Sequence, residues 1–113
     1  MIIYLAGPYT HPEESVRNQR AEALTRIAAE LMQDGHIIFS PITHGHSVTQ
    51  HLPPERACDK AFWMSQCIPM LSVCTKLVVV MLPGWVESTG VQHEIDVATQ
   101  QGMQILYIQE PSS

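Results

Sequence analysis

The chain has 113 residues, enough for one domain with a core of its own and too few for two. Six Lys and Arg stand against eleven Asp and Glu, a formal net charge of -5, so no basic stripe is expected and a nucleic-acid polymer is excluded as partner. Apolar residues make up 45% of the chain, yet no run approaches the roughly 20 residues of a membrane helix, and a soluble, cytoplasmic protein with no membrane partner is expected.

The amino-terminal MIIYLAG has no basic residue ahead of its apolar stretch and reads as a first strand, not a signal peptide. Residues 2 to 6 (IIYLA), closed by Gly7-Pro8, have the continuous apolar character of a strand buried on both faces. A long helix is expected next: Thr10 and Glu13 have capping-box spacing, Pro12 suits an early helical position, and Val16, Leu24, Ile27, Ala28 and Leu31 keep helical period until Asp34-Gly35. HIIFS at 36 to 40 is the second strand, ended by Pro41. The stretch 41 to 54, polar and carrying His44, His46 and His51, reads as a long loop able to line a site. A helix from about Glu55 follows, which Pro69 is expected to kink or to split, opening a second short helix from Ile68 to Cys74. Lys76 to Leu82 is the third strand; after PGWVES comes a helix from about Thr89 to Gln101, then Gly102 and a last strand, MQILYI, with the terminal EPSS frayed.

This alternation predicts an α/β fold: a three-layer parallel sheet of four strands, with room for a fifth, covered by helices on both faces in a flavodoxin- or Rossmann-like 2-1-3-4 order. One domain spans 1–113. In such sheets ligands bind beyond the carboxyl ends of the strands, which here read Gly7-Pro8-Tyr9, Ser40-Pro41 and Pro83-Gly84-Trp85.

The last helix contains one residue out of place. With Val91 at zero and about 100° per residue, Ile95 falls at about 40°, Ala98 at about 340° and Glu94 at about 300°, inside the edge of the buried arc. His93, at about 200°, and Asp96, at about 140°, face water. A carboxylate against an apolar wall is costly unless paired, and its pKa tends to rise. Ser88 is a good N-cap, Gly90 lets a ligand approach the backbone, and the free N–H groups of the first turn suit an anion. The bland alternatives are that Glu94 reaches solvent from the helix margin, Ser88 only caps, and Gly90 only allows close packing.

The stretches IIYLAGPY, IIFSPITHGHS and LVVVMLPGWVESTGVQHEIDVATQQGMQILY cover nearly the whole chain and resemble, in this order, the nucleoside 2-deoxyribosyltransferase-like superfamily. The resemblance implies that Glu94, after the S-x-G-V-x-x-E turn, is the nucleophile of a retaining, two-step transfer on a nucleoside, nucleoside monophosphate or related small molecule. It maps Ser88 and Gly90 onto the phosphate, gives Tyr4 or Tyr9 the task of holding nucleophile or sugar, and implies completion of the site by a neighbouring subunit in a homo-oligomer, a dimer or a tetramer. No cofactor is expected. One departure stands out: where the transferases carry an aspartate before the third strand, this chain reads Cys74-Thr75-Lys76, and no aspartate occurs between Asp59 and Asp96. An acid would come from Glu87, Asp59, a histidine of the 41 to 54 stretch, or another subunit.

Three readings stand together. The first is the N-glycosidic enzyme, with Gly7, Pro8, Ser40, His44, His46, Gly84 and Trp85 lining the substrate site. The second is a nucleotide-binding or sensing module on the same fold. The third is a metal-dependent hydrolase built on His44, His46 and His51, which as they stand lack a fourth ligand at recognisable spacing, so no metal is assigned. Trp63, between Phe62 and Met64, is expected in the core, while Trp85 is open to stacking on a base. Arg17 and Arg20 are expected on a solvated helix face with Glu14 and Glu22. Phe62 to Met64 and Pro69 to Leu71 suggest a self-association surface.

Overall fold

A computed structural model describes residues 1–110. In chain order the elements are β1 (Ile2–Ala6), α1 (Glu14–Gln33), β2 (Ile37–Phe39), α2 (Pro41–Thr49), α3 (Pro54–Ala57), α4 (Lys60–Ser72), β3 (Lys76–Val80), α5 (Thr89–Gln100) and β4 (Gln104–Ile108). The four strands form one sheet in the order β2-β1-β3-β4, all pairs parallel, with Tyr4 beside both Phe39 and Leu77, and Val79 beside Tyr107. The α/β parallel sheet and its 2-1-3-4 order are thus as the sequence predicts.

Strand alternation divides the core in two. Ile3, Leu5, Val78 and Val80 point to one face, under Leu24, Ile27 and Ala28 of α1. Tyr4, Ala6, Leu77 and Val79 point to the other, under Leu71 of α4 and Val91 and Ala98 of α5. The central strands β1 and β3 are therefore buried on both sides, which is why their sequences lack a polar-apolar alternation. No helix among the described residues is long and apolar enough to cross a membrane.

Four local expectations are corrected. The Thr10–Glu13 capping box does not form: Glu13 is itself the N-cap, in extended backbone and without a side-chain cap. Its amide is taken by Nδ1 of His11, while Arg17 donates to the carbonyls of His11 and Pro12 and holds the approach to α1 extended. The stretch read as a loop from 41 to 54 is mostly helix: Pro41 fits the first helical position of α2, and Gly45 within it is buried against the Trp63 ring. Pro69 lies inside α4 without breaking it, and the Ser65 carbonyl that it leaves without a helical donor belongs to an exposed residue; the interruption falls earlier, at Cys58-Asp59, where the Asp59 side chain caps α4 by accepting from the Phe62 amide at 3.2 Å. Trp63, expected in the core, is half-buried, its indole N–H donating to the Ala57 carbonyl at 2.9 Å. The expectation of a frayed end falls on 111–113, outside the described residues, and on Glu110, which is exposed.

Candidate active site

Glu94 lies one turn into α5, where helical period carries Val91 and Ala98 onto the sheet and takes the carboxyl with them. Its exposure is 5%, so it does not reach out to solvent from a helix margin. The hydroxyl of Tyr4, in the middle of β1 and itself fully buried, donates to Oε2 of Glu94. This settles which tyrosine holds the glutamate: Tyr4, whose ring is braced by Phe39 with centroids 5.6 Å apart, and not Tyr9. No fully buried side-chain oxygen among the described residues lacks a hydrogen-bond partner. Among the described residues no hydrogen bond engages Oε1 of Glu94, so this second oxygen is free of partners and not fully enclosed.

Burial raises the Glu94 carboxyl from 4.5 to about 7, and the hydrogen bond from Tyr4 opposes part of that rise. Burial, with the carboxylate beside it, raises the Tyr4 phenol far above its ordinary range, so Tyr4 remains a proton donor and never a base. A third group joins them from α4. Cys67, whose thiol burial and the Glu94 charge push up to about 11, packs against the same buried cluster as Tyr4. Sequence reasoning passed over Cys67; the signal was its place one turn before Leu71 on the buried side of α4.

Ser88 caps α5, accepting from the Val91 amide at 3.2 Å. A Cβ on Gly90 would meet only Met64 and Ser88 atoms, both at 3.9 Å, so packing does not demand glycine there. Gly7 is different, because a Cβ would fall 2.6 Å from Cδ2 of Leu24, so this glycine is required by the packing of β1 on α1. Pro8 is fully buried beside it.

Tyr9 meets His46 instead of Glu94. Its hydroxyl and Nδ1 of His46 are 2.7 Å apart, with the rings edge-on at 5.6 Å, both half-buried where the β1 exit meets α2. Either the hydroxyl or Nδ1 can be the donor in this pair, and Nε2 faces away from it. Ser40, 8% exposed, spends its hydroxyl on Thr43 at 2.8 Å. His44 and His51 are exposed and do not converge on His46, and among the described residues no three His, Cys, Asp or Glu side chains gather as a metal site would need. The metal reading is therefore set aside on geometry. Trp85 packs on the core cluster and against Tyr107 at 5.7 Å, so its ring is engaged within the fold and not offered freely to a base. Arg20 is not on a solvated face: its guanidinium donates to the carbonyls of Tyr9, Thr10 and Pro83.

The chain belongs to the family described as a domain of unknown function, DUF1937, whose model matches residues 1–110. No curated protein matches it.

Proposed function

We propose that this member of the family cleaves or transfers the N-glycosidic bond of a nucleoside, nucleoside monophosphate or related small molecule, with Glu94 as nucleophile. The observation that carries the reading is a carboxyl held by Tyr4 through Oε2 and open at Oε1, inside an otherwise apolar wall. A buried carboxylate is poorly solvated and correspondingly reactive once ionised. In the first step Oε1 bonds to the anomeric carbon, and the bond from that carbon to the base nitrogen breaks with its electron pair on nitrogen. The base takes up a proton, and a glycosyl ester remains on Glu94. In the second step water or another base attacks the same carbon and frees the carboxylate, so the sugar keeps its configuration. Tyr4 remains protonated throughout and fixes the carboxyl while Oε1 reacts.

The proton for the leaving base is assigned to His46. Asp59 is committed to capping α4, and Glu87 is exposed in the turn before α5. In that role His46 acts as the imidazolium, its Nδ1–H donating to the Tyr9 hydroxyl; it gives the Nε2 proton to the departing base nitrogen and is left neutral, able to act as base toward the incoming water. Ser88 and Gly90 at the start of α5 supply backbone N–H groups for a phosphate or a sugar hydroxyl.

A second reading, a nucleotide-binding or sensing module, is favoured by one observation. The titratable groups beside Glu94, Tyr4 and Cys67, are both pushed toward their neutral forms, and Thr75, at the position where the resemblance leads one to look for an acid, uses its hydroxyl on the Ile2 carbonyl. The deciding experiment is chromatographic detection of free base after incubation with ribo- and deoxyribonucleosides, their monophosphates and NAD. Release by the parent and not by Glu94→Ala supports the glycosidic enzyme; saturable binding without release supports the sensor.

A further inference from the structure

The β1 exit carries Tyr9 and the β3 exit leads through Gly84 to Ser88, so both segments leave the same, carboxyl-terminal edge of the parallel sheet. Nothing in their own backbone hydrogen bonding ties one to the other. A single side chain from α1 does. Nη1 of Arg20 donates to the Tyr9 carbonyl at 3.4 Å and to the Thr10 carbonyl at 2.9 Å, and Nη2 donates to the Pro83 carbonyl at 3.1 Å. These acceptors lie 11, 10 and 63 residues away along the chain. All three are carbonyl oxygens, so the cation is used as a rigid fork of donors and not to balance an acid.

Gly84 supplies the second, independent observation. Its φ of 93° is a conformation that side chains rarely adopt, and a Cβ there would lie 2.5 Å from Nη2 of Arg20. The turn is therefore shaped to leave space for the guanidinium as well as to reverse the chain.

We infer that Arg20 is a positioning residue that latches the β1 exit to the β3 exit and sets the spacing of the cleft in front of Glu94. The word cleft rests on the glycosidic reading; the latch itself does not. Lysine cannot replace it, because its donors radiate from one nitrogen, whereas Nη1 and Nη2 reach different segments. The same logic makes Gly84→Ala equivalent to unlocking, since the new methyl takes the place of Nη2.

The test is hydrogen exchange at the Trp85 amide, which bonds to the Leu82 carbonyl at 3.1 Å within the latched turn. Arg20→Gln and Arg20→Lys should each raise its exchange about tenfold or more, as expected for the loss of charge-assisted bonds in a local opening, while amides of β1 and β3 keep the parent rates. Gly84→Ala should do the same, and the Arg20→Gln/Gly84→Ala double variant should exchange no faster than Gly84→Ala alone. On any nucleoside the parent cleaves, KM should rise severalfold or more with kcat little changed. Parent-like exchange in both Arg20 variants, rescue by lysine, or effects of the two positions that multiply would overturn the latch. Should the parent cleave nothing, the glycosidic reading falls with the KM arm, and exchange still decides the latch.

Discussion

Replacing Glu94 by glutamine removes an ionisation that burial opposes near neutral pH, and the consequence can be worked from its pKa. In the folded protein the carboxyl is raised from 4.5 to about 7 by burial. Between those values the native state holds a proton that the unfolded chain has released, so stability falls as pH rises through that window and is fully present only below it. The difference between 4.5 and about 7, at 1.36 kcal/mol per pH unit, amounts to about 3 kcal/mol lost above the window. Glutamine keeps the acceptor for Tyr4 but cannot ionise. Its amide has a cost of its own, which does not vary with pH and cancels when each protein is compared with itself. Urea unfolding of parent and Glu94→Gln at pH 4 and pH 8 therefore measures the effect cleanly: relative to the parent, the variant should gain about 3 kcal/mol between the two conditions. A parallel pH dependence in the two proteins would refute the claim that burial governs this carboxyl, and with it the account of its reactivity.

Four further outcomes are expected. Catalysis by the parent should rise with pH through about 7 as Glu94 ionises, a limb that kcat/KM profiles on a cleaved nucleoside would resolve. Tyr4→Phe, which deletes the donor to Oε2, should move that limb to higher pH and lower kcat/KM by roughly 10- to 100-fold, in line with the loss of one hydrogen bond to a charged group. Ser88→Ala should cost about 1 kcal/mol of stability through the lost cap, seen in urea unfolding, and weaken binding of monophosphates more than of nucleosides. Met70 and Val73 are 41% and 62% exposed near the end of α4; if they form the self-association surface, light scattering should find a dimer or tetramer that Val73→Glu dissociates.

Much of this was legible in the sequence, for a physical reason. Strands buried on both faces leave an unmistakable apolar run, as IIYLA and KLVVV do, and parallel strands force the intervening helices. Glu94 was legible because helical period is rigid: a residue flanked by Val91 and Ala98 on one arc cannot escape the sheet beneath them. Its partner was not. Choosing Tyr4 over Tyr9 needs the inward-facing parity of β1, set by the pairing of the sheet, and the depth at which α5 crosses it. Other features read wrongly depended on contacts distant in sequence. Polar composition hid α2, whose Gly45 accepts the Trp63 ring with a would-be Cβ contact of 3.4 Å. Arg20 looked like one more charge on a helix surface, and only the folded approach of Pro83 gives it a task. Short-range signals misled where side chains had nearer partners, as at Thr10 and Glu13, whose box lost to the His11 ring.

The central claim is that Oε1 of Glu94 bonds to the sugar, and its most direct test is the configuration of the product. A β-nucleoside that the protein cleaves can be turned over in the presence of methanol and the first-formed methyl glycoside read by proton NMR. Two successive displacements through a Glu94 ester predict the β-glycoside. An α-glycoside would mean a single displacement, in which Glu94 serves at most as a base and never as the nucleophile.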